Sequence, residues 1–292
     1  MQVGMIGVGR MGKAMAHNLL KAGHKLKLFD IAKDSLRDLE HDGAVIAANA
    51  KDAFGGDVTI SMLPNDEAMR AVFVAGDTLP AGGAATIHIN MATASVACAD
   101  ELTALHRQRG VPYVAATVWG RPDAAAAAKL SIVVAGDKAA VDKAQPLFDV
   151  LGQRTTRVGD KPSNANVAKI AGNLMVAAAI EAMGEAAALV RGYGMSADDF
   201  LKTVNKALFD VPVYNGYGNM IGAGQYEPPG FDLVLGMKDV RLALAAGEKV
   251  NVPLPFASVL RDSFLDAIAH GDANKDWSAI ALVAARRAGL KT

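Results

Sequence analysis

Lys169 and Asn173 stand four residues apart in a stretch otherwise dominated by Ala, Val, Ile, Leu and Met. Helical spacing puts both on one face, one turn apart, so an ammonium and an amide reach into the same space. Hydride addition to a carbonyl leaves negative charge on oxygen, which calls for a proton donor within hydrogen-bonding reach and a second donor to fix orientation. Lys169 suits the first role and Asn173 the second. A desolvated lysine gives up its proton more readily, which would let it serve both directions of such a reaction. The same residue types also fit a lysine that reaches out to solvent and an amide satisfied in the core. Glu181 and Glu185 lie further along the helix at a multiple of the same spacing. They are expected to be structural, meeting backbone or arginine groups where the helix crosses a partner.

A second constellation opens the chain. Apolar residues 3–6 run directly into Gly7-Val8-Gly9-Arg10-Met11-Gly12, and a helical pattern follows through Met15, Leu19 and Leu20. In G-x-G-x-x-G the first glycine permits a tight turn, the second lets a pyrophosphate approach the backbone, and the third lets helix pack on strand. A second strand ends at Asp30, about where an acidic side chain meets the adenosine ribose of a dinucleotide. A carboxylate there suits the ribose hydroxyls of NAD and repels the 2′-phosphate of NADP, so NAD is the expected cofactor. NADP is the alternative if Asp30 only caps the following turn and Lys33 meets a phosphate.

The elements that must position these residues follow from the hydrophobic pattern. Apolar runs at 3–6, 26–29, 58–62, 85–89, 111–114 and 131–135 alternate with helical stretches, which predicts a parallel sheet with crossover helices. Beyond about residue 160 only helices are expected, at 163–193, 197–209, 212–222, 231–249, 254–270 and 276–287. The fold class is therefore an α/β Rossmann N-terminal domain (1–161) followed by an all-α C-terminal domain (162–292).

At 292 residues, 51% hydrophobic and 21% charged, the chain is long enough for two cores. Thirty basic residues balance thirty acidic ones, leaving no positive field for nucleic acid or an anionic membrane. The apolar stretch 170–190 carries Asn173, Glu181 and Glu185, each costly in hydrocarbon, so it reads as a buried helix. A single cysteine, Cys98, excludes an internal disulfide and a thiolate metal cluster. No leader segment is apparent, His17, His24 and His88 are scattered, and a cytoplasmic, metal-free protein is expected.

Taken in order, several further motifs make the chain resemble the β-hydroxyacid dehydrogenase family, which includes 3-hydroxyisobutyrate dehydrogenase and semialdehyde reductases. They are residues 7–18, Met62-Leu63-Pro64-Asn65, Asn90-Met91-Ala92-Thr93, residues 118–130, residues 159–173 with Lys169 and Asn173, Lys238-Asp239, and Asp276-Trp277-Ser278-Ala279. The resemblance spans essentially the whole chain. It implies a long interdomain helix joining the two domains and an active site in the cleft between them, with Leu63 and Pro64 lining the cofactor side and Thr93 near the nicotinamide. It further implies Lys238 facing the cofactor or an anionic substrate, and association into a homodimer or homotetramer. On residue types alone, Leu63-Pro64 also fits a strand-ending turn, and Lys238 a local pair with Asp239 or Asp232.

One segment departs from the family. Where members read Asp-Ala-Pro-Val-Ser-Gly-Gly, this chain has Ala115-Ala116-Thr117-Val118-Trp119-Gly120-Arg121. The family's serine and glycine amides bind the substrate carboxylate; Trp119 offers one indole donor and a large apolar area. Gly120 keeps an amide, and Arg121 could grip a carboxylate or pair with Asp123 at the surface. The alanine run at 124–128, after Pro122-Asp123, reads as a capped helical turn. The expected activity is nicotinamide-dependent reduction of a small or more apolar carbonyl, or oxidation of the matching hydroxy acid. Imine reduction on the same scaffold is the alternative, and a non-enzymatic dinucleotide-binding module a more distant one.

Overall fold

The computed structural model describes residues 1–80 and 86–292, which divide into two compact units, Met1–Lys169 and Ile170–Thr292. The first unit begins β1 (Gln2–Ile6), α1 (Arg10–Lys21), β2 (Lys25–Phe29), α2 (Arg37–His41), β3 (Val45–Ile46), α3 (Ala50–Ala53), β4 (Val58–Ser61) and α4 (Asp66–Arg70). It continues through β5 (Ile87–Asn90), α5 (Val96–Arg109), β6 (Tyr113–Trp119), α6 (Pro122–Ala126), β7 (Leu130–Gly136), α7 (Lys138–Leu151) and β8 (Gly152–Arg157). The expected strand at 85–89 starts on Ala85, outside the described residues. The sheet order is β3-β2-β1-β4-β5-β6-β7-β8.

The five central pairings from β3 to β6 are parallel, but β6 and β7 are antiparallel, with Val114 opposite Gly136 and Trp119 opposite Ser131. The sheet is thus mostly parallel, as expected, with β6 and β7 the one antiparallel pair among the described strands. Only residues 120–129 separate the two strands, and a parallel crossover needs a dozen or more residues. Two strands escape the hydrophobic pattern. β3 has two residues, and β8 is a polar edge strand whose Gln153, Arg154, Thr156 and Arg157 are exposed. β6 also runs further than its apolar start suggests, because Ala115, Ala116, Thr117 and Val118 are all buried within the sheet.

Both faces of the sheet carry a core. Met15, Ala16 and Leu19 of α1 form one apolar stripe with Val141, Leu147 and Phe148 of α7, packing on Met5, Leu28, Ile60 and Val134. On the other face Met69, Phe73, Leu102 and Tyr113 enclose Ile6 and Cys98. The Cys98 thiol is pushed up to about 12 by burial, so it behaves as a small apolar side chain.

The second unit is helical. α8 (Ser163–Gly192) starts in the first unit and runs into the second, followed by α9 (Ala197–Leu208), α10 (Pro212–Ala223), α11 (Leu233–Lys249), α12 (Pro255–Ala269) and α13 (Ala281–Arg287). Leu201, Leu233, Met237, Val240, Leu260, Phe264 and Trp277 make its core. Although α8 is long and apolar enough to cross a membrane by length and composition, it carries Lys169, Asn173 and Glu181 in buried positions and is a core helix.

Candidate active site

Because β1, β2, β4, β5 and β6 run parallel, their C-terminal ends share one edge of the sheet. The strand order reverses between β1 and β4, which opens the crevice where such sheets take ligands. At that edge lie the turn Gly7 to Gly9 after β1, Asp30 after β2, Leu63 and Pro64 after β4, Thr93 after β5, and Trp119, Gly120 and Arg121 at and after the end of β6. The sequence-predicted residues of the first unit are thus gathered by topology alone.

The glycine turn is specified by contacts that a side chain would destroy. Gly7 has φ +91°, and a Cβ there would sit 2.5 Å from the Met62 carbonyl oxygen. A Cβ on Gly12 would lie 2.3 Å from the Gly7 carbonyl oxygen, so α1 closes directly onto the turn. Gly9, by contrast, would meet nothing within 4 Å. Open space at this position, at the N-terminus of α1 where amides and dipole favour anions, fits a pyrophosphate. Val8 is buried, Arg10 is exposed and Met11 half-buried in the first turn of the helix.

Asp30 does two things. One oxygen accepts a hydrogen bond from the Val8 amide at 2.6 Å, and the other from the Ala32 amide at 2.7 Å. It therefore both caps its own turn and ties the glycine turn to β2, while Lys33 stands exposed nearby. Ile31, next in sequence, is 92% exposed.

Leu63 is half-buried and Pro64 exposed. The turn that carries them ends where the Asn65 side chain accepts from the Ala68 amide and starts α4. Thr93, half-buried, precedes Ser95, the cap of α5. Beneath both loops runs a buried polar chain that the scattered histidines of the sequence do not announce. The His106 ring contacts the Leu102 carbonyl through Nδ1 at 2.6 Å, so that nitrogen is the donor. Its Nε2 then accepts from His88 Nδ1 at 2.7 Å, and His88 Nε2 accepts from the Ser61 hydroxyl at 2.8 Å. Asn90 adds a bond from its amide nitrogen to the Tyr113 hydroxyl at 3.1 Å, and accepts from the Ala92 amide at 3.0 Å. Burial lowers His106 to about 4 and holds His88 well below its ordinary value, so both rings are neutral.

The start of α8 is fastened to the same edge. Thr117 donates its hydroxyl to the Ala165 carbonyl at 3.0 Å, and Asn166 its side-chain amide to the Ala94 carbonyl at 3.4 Å. Trp119 and Ala168 pack on Ala115, Val133, Ala135 and Ala165. Lys169 is 9% exposed, with its Nζ 5.6 Å from the centroid of the Trp119 ring. Lys169 is thus no solvent-reaching lysine, and position 119 belongs to a strand end where a loop was expected. Gly120 is exposed with φ +139°, and Arg121 takes the N-cap position of α6, whose helical turn over the alanine run is as expected.

Asn173, one turn beyond Lys169 on α8, lies in the second unit. Its amide nitrogen donates to Asp239 Oδ2 at 2.5 Å, and Lys238 Nζ lies 3.4 Å from the other oxygen. Asp239 is a residue that sequence reasoning treated only as a partner for Lys238; its place in the quoted Lys-Asp pair was the available signal. Glu181 accepts from the Ser263 hydroxyl at 2.6 Å, which corrects the expected backbone or arginine partner, and burial raises its pKa. Glu185 is exposed.

Residues 2–159 match the family model of the NAD binding domain of 6-phosphogluconate dehydrogenase. Residues 163–289 match that of the NAD-binding domain of NADP-dependent 3-hydroxyisobutyrate dehydrogenase. An uncharacterized oxidoreductase, YfjR, of Bacillus subtilis is 38% identical over 96% of this chain and 98% of its own. Glyoxylate/succinic semialdehyde reductase 1 of Arabidopsis thaliana is 31% identical over 96% and 97%. Among solved structures, 3-hydroxyisobutyrate dehydrogenase of Mycobacterium tuberculosis with L-serine superimposes with TM-score 0.87 at 27% identity, covering 97% of this chain and 98% of that one.

Proposed function

The chain belongs to the β-hydroxyacid dehydrogenase family and is an NAD(P)-dependent oxidoreductase of hydroxyl or carbonyl groups; from that premise we propose that Lys169 is its general acid and base. When bound, the nicotinamide ring supplies the hydride for reduction or receives it in oxidation. Lys169 Nζ gives a proton to the oxygen that gains charge, and takes it back in the reverse direction. Asn173, steadied by Asp239, orients that oxygen.

For the cofactor, Gly7, Val8, Gly9, Arg10, Met11 and Gly12 form the pyrophosphate turn and Asp30 meets the adenosine ribose, which favours NAD over NADP. Leu63, Pro64 and Thr93 are assigned to the nicotinamide half, and Lys238 to the cofactor or an anionic substrate, on the family motifs. Trp119, Gly120 and Arg121 border the substrate. With an indole where relatives have a hydroxyl, the substrate is bulkier or less polar than hydroxyisobutyrate, and Arg121 holds its carboxylate if it has one. We further infer a soluble, cytoplasmic homodimer or homotetramer. Met175, Leu189, Tyr193 and Met195 leave apolar surface on the second unit, and the lone cysteine is buried.

The observation that carries this reading is an ammonium group almost fully buried at the ligand-binding edge of a dinucleotide sheet. Initial rates of NADH oxidation with glyoxylate, succinic semialdehyde, tartronate semialdehyde, a benzaldehyde and a cyclic imine test it. Turnover of one or more carbonyls, with the imine inert, is the expected result. Turnover of the imine alone contradicts a proton-donating Lys169.

A further inference from the structure

Trp119 stands where the family has a small hydroxyl residue, and the structure shows what its ring touches. The strand end that bears it is pinned to α8 by the Thr117 bond to the Ala165 carbonyl, and Trp119 packs with Ala168 against a cluster of small apolar residues. That leaves the indole with Lys169 over it at 5.6 Å from ring centroid to Nζ, inside the range in which a cation is drawn to an aromatic face. Lysine carries four rotatable bonds and a point charge with no preferred direction, so each contact made with its head group narrows the space it samples. Trp119 supplies a face that attracts the ammonium without itself accepting one of its protons. A serine at this position would compete for one of those protons and would leave the remaining space to water or substrate.

Resting on the assignment of Lys169 as proton donor, we propose that Trp119 is a positioning residue whose indole face holds the Lys169 ammonium in place for proton transfer. This positioning effect acts on the chemical step and lowers kcat equally for small and large substrates when it is lost, whatever selection by size the indole also imposes through KM. A buried cation–π contact that favours the placed conformer of Lys169 by about 1–2 kcal/mol raises its population over displaced conformers by about fivefold to thirtyfold, so its loss lowers turnover by up to that factor.

Three variants of the full-length protein test this. Trp119→Leu, which keeps apolar bulk without the aromatic face, lowers kcat by that factor on small and large carbonyls alike, in addition to any change in KM. Trp119→Phe, a weaker aromatic face, restores most of it. A change confined to KM and graded by substrate size, with kcat intact, makes position 119 a substrate wall and overturns the proposal. An activity-independent arm uses the fact that the chain has only two tryptophans. In a Trp277→Phe background the emission belongs to Trp119. Adding Lys169→Met shifts its maximum or intensity if the ammonium lies on the ring; an unchanged spectrum overturns the contact. If Lys169→Met retains full turnover while the emission does shift, the contact stands and the assignment of Lys169 as acid is what fails.

Discussion

In the first unit the deeply buried titratable side chains include His88 and His106, neutral rings joined in a hydrogen-bonded chain to Ser61 beneath the loops after β4 and β5. In the second unit they include Glu181, bonded to Ser263, and the carboxylates of Asp239, Asp272 and Asp276. Asp239 holds Asn173 and Lys238, and Asp272 holds Arg286 and Lys275. The first unit thus builds its glycine turn from backbone, with neutral rings below the neighbouring loops, and brings the buried Lys169 ammonium to the same edge. The second places buried side chains in ionic or charge-assisted contacts. In one, fold and binding are inseparable; in the other, single side chains can be removed with the frame left standing.

The sharpest way to break this contrast is at the glycine turn. Gly12→Val drives a side chain into the Gly7 carbonyl, a backbone atom that cannot swing aside. It is expected to abolish NADH binding and cost about 3 kcal/mol or more, read by NADH fluorescence titration and calorimetry. A variant that still binds NADH at wild-type affinity would mean the turn has slack the geometry denies.

Asp239→Ala probes the second unit. It strips the acceptor from Asn173 and the partner oxygen from Lys238, so kcat is expected to fall about tenfold, at a cost of roughly 1–3 kcal/mol in stability. The same loss of stability with unchanged kcat would reduce the pair to a structural one.

Asp30→Ala returns to the first unit but changes a side chain that bonds only backbone. The ratio of kcat/KM for NADH over NADPH is expected to narrow by about tenfold. A wild-type preference for NADPH would contradict the assignment and direct attention to Lys33.

A further effect, on stability alone, is with pH. The folded pKa of His106 is about 4 against 6.5 for the unfolded chain, and His88 is shifted in the same direction. A depressed folded pKa means the stabilisation is complete above pH 6.5 and is lost as pH falls from 6.5 through 4, at up to about 1.4 kcal/mol per pH unit for each ring. Glu181 has the opposite sign, its folded pKa raised above 4.5, so its contribution is present below pH 4.5 and lost as pH rises through the folded value. Calorimetry from pH 7 to 4 should therefore show Tm falling below pH 6.5, and His106→Phe should flatten the decline. A flat Tm in wild type over that interval would mean the histidines are not held neutral.

What the sequence discloses follows the same division. The glycine turn, Asp30 and all six helical segments beyond residue 160 are legible, because backbone geometry and apolar periodicity leave marks on residue type. β8 was not, since an exposed polar edge strand has no apolar alternation, and the reversal of β7 is visible only through the short connection before it. The His88–His106 chain and the Asn173–Asp239 bond join residues far apart in the chain, and no local pattern encodes such pairings. Trp119 was conspicuous as a departure, but that its ring would face Lys169 depends on β6 running through to position 119.

The central claim is that Lys169 carries the proton, and single-turnover oxidation of prebound NADH by Lys169→Ala, with a carbonyl that the wild type reduces, tests it most directly. NADH affinity close to wild type together with a chemical step slowed by on the order of 10²-fold or more is the expected result. A single-turnover rate and pH dependence equal to those of the wild type would contradict it.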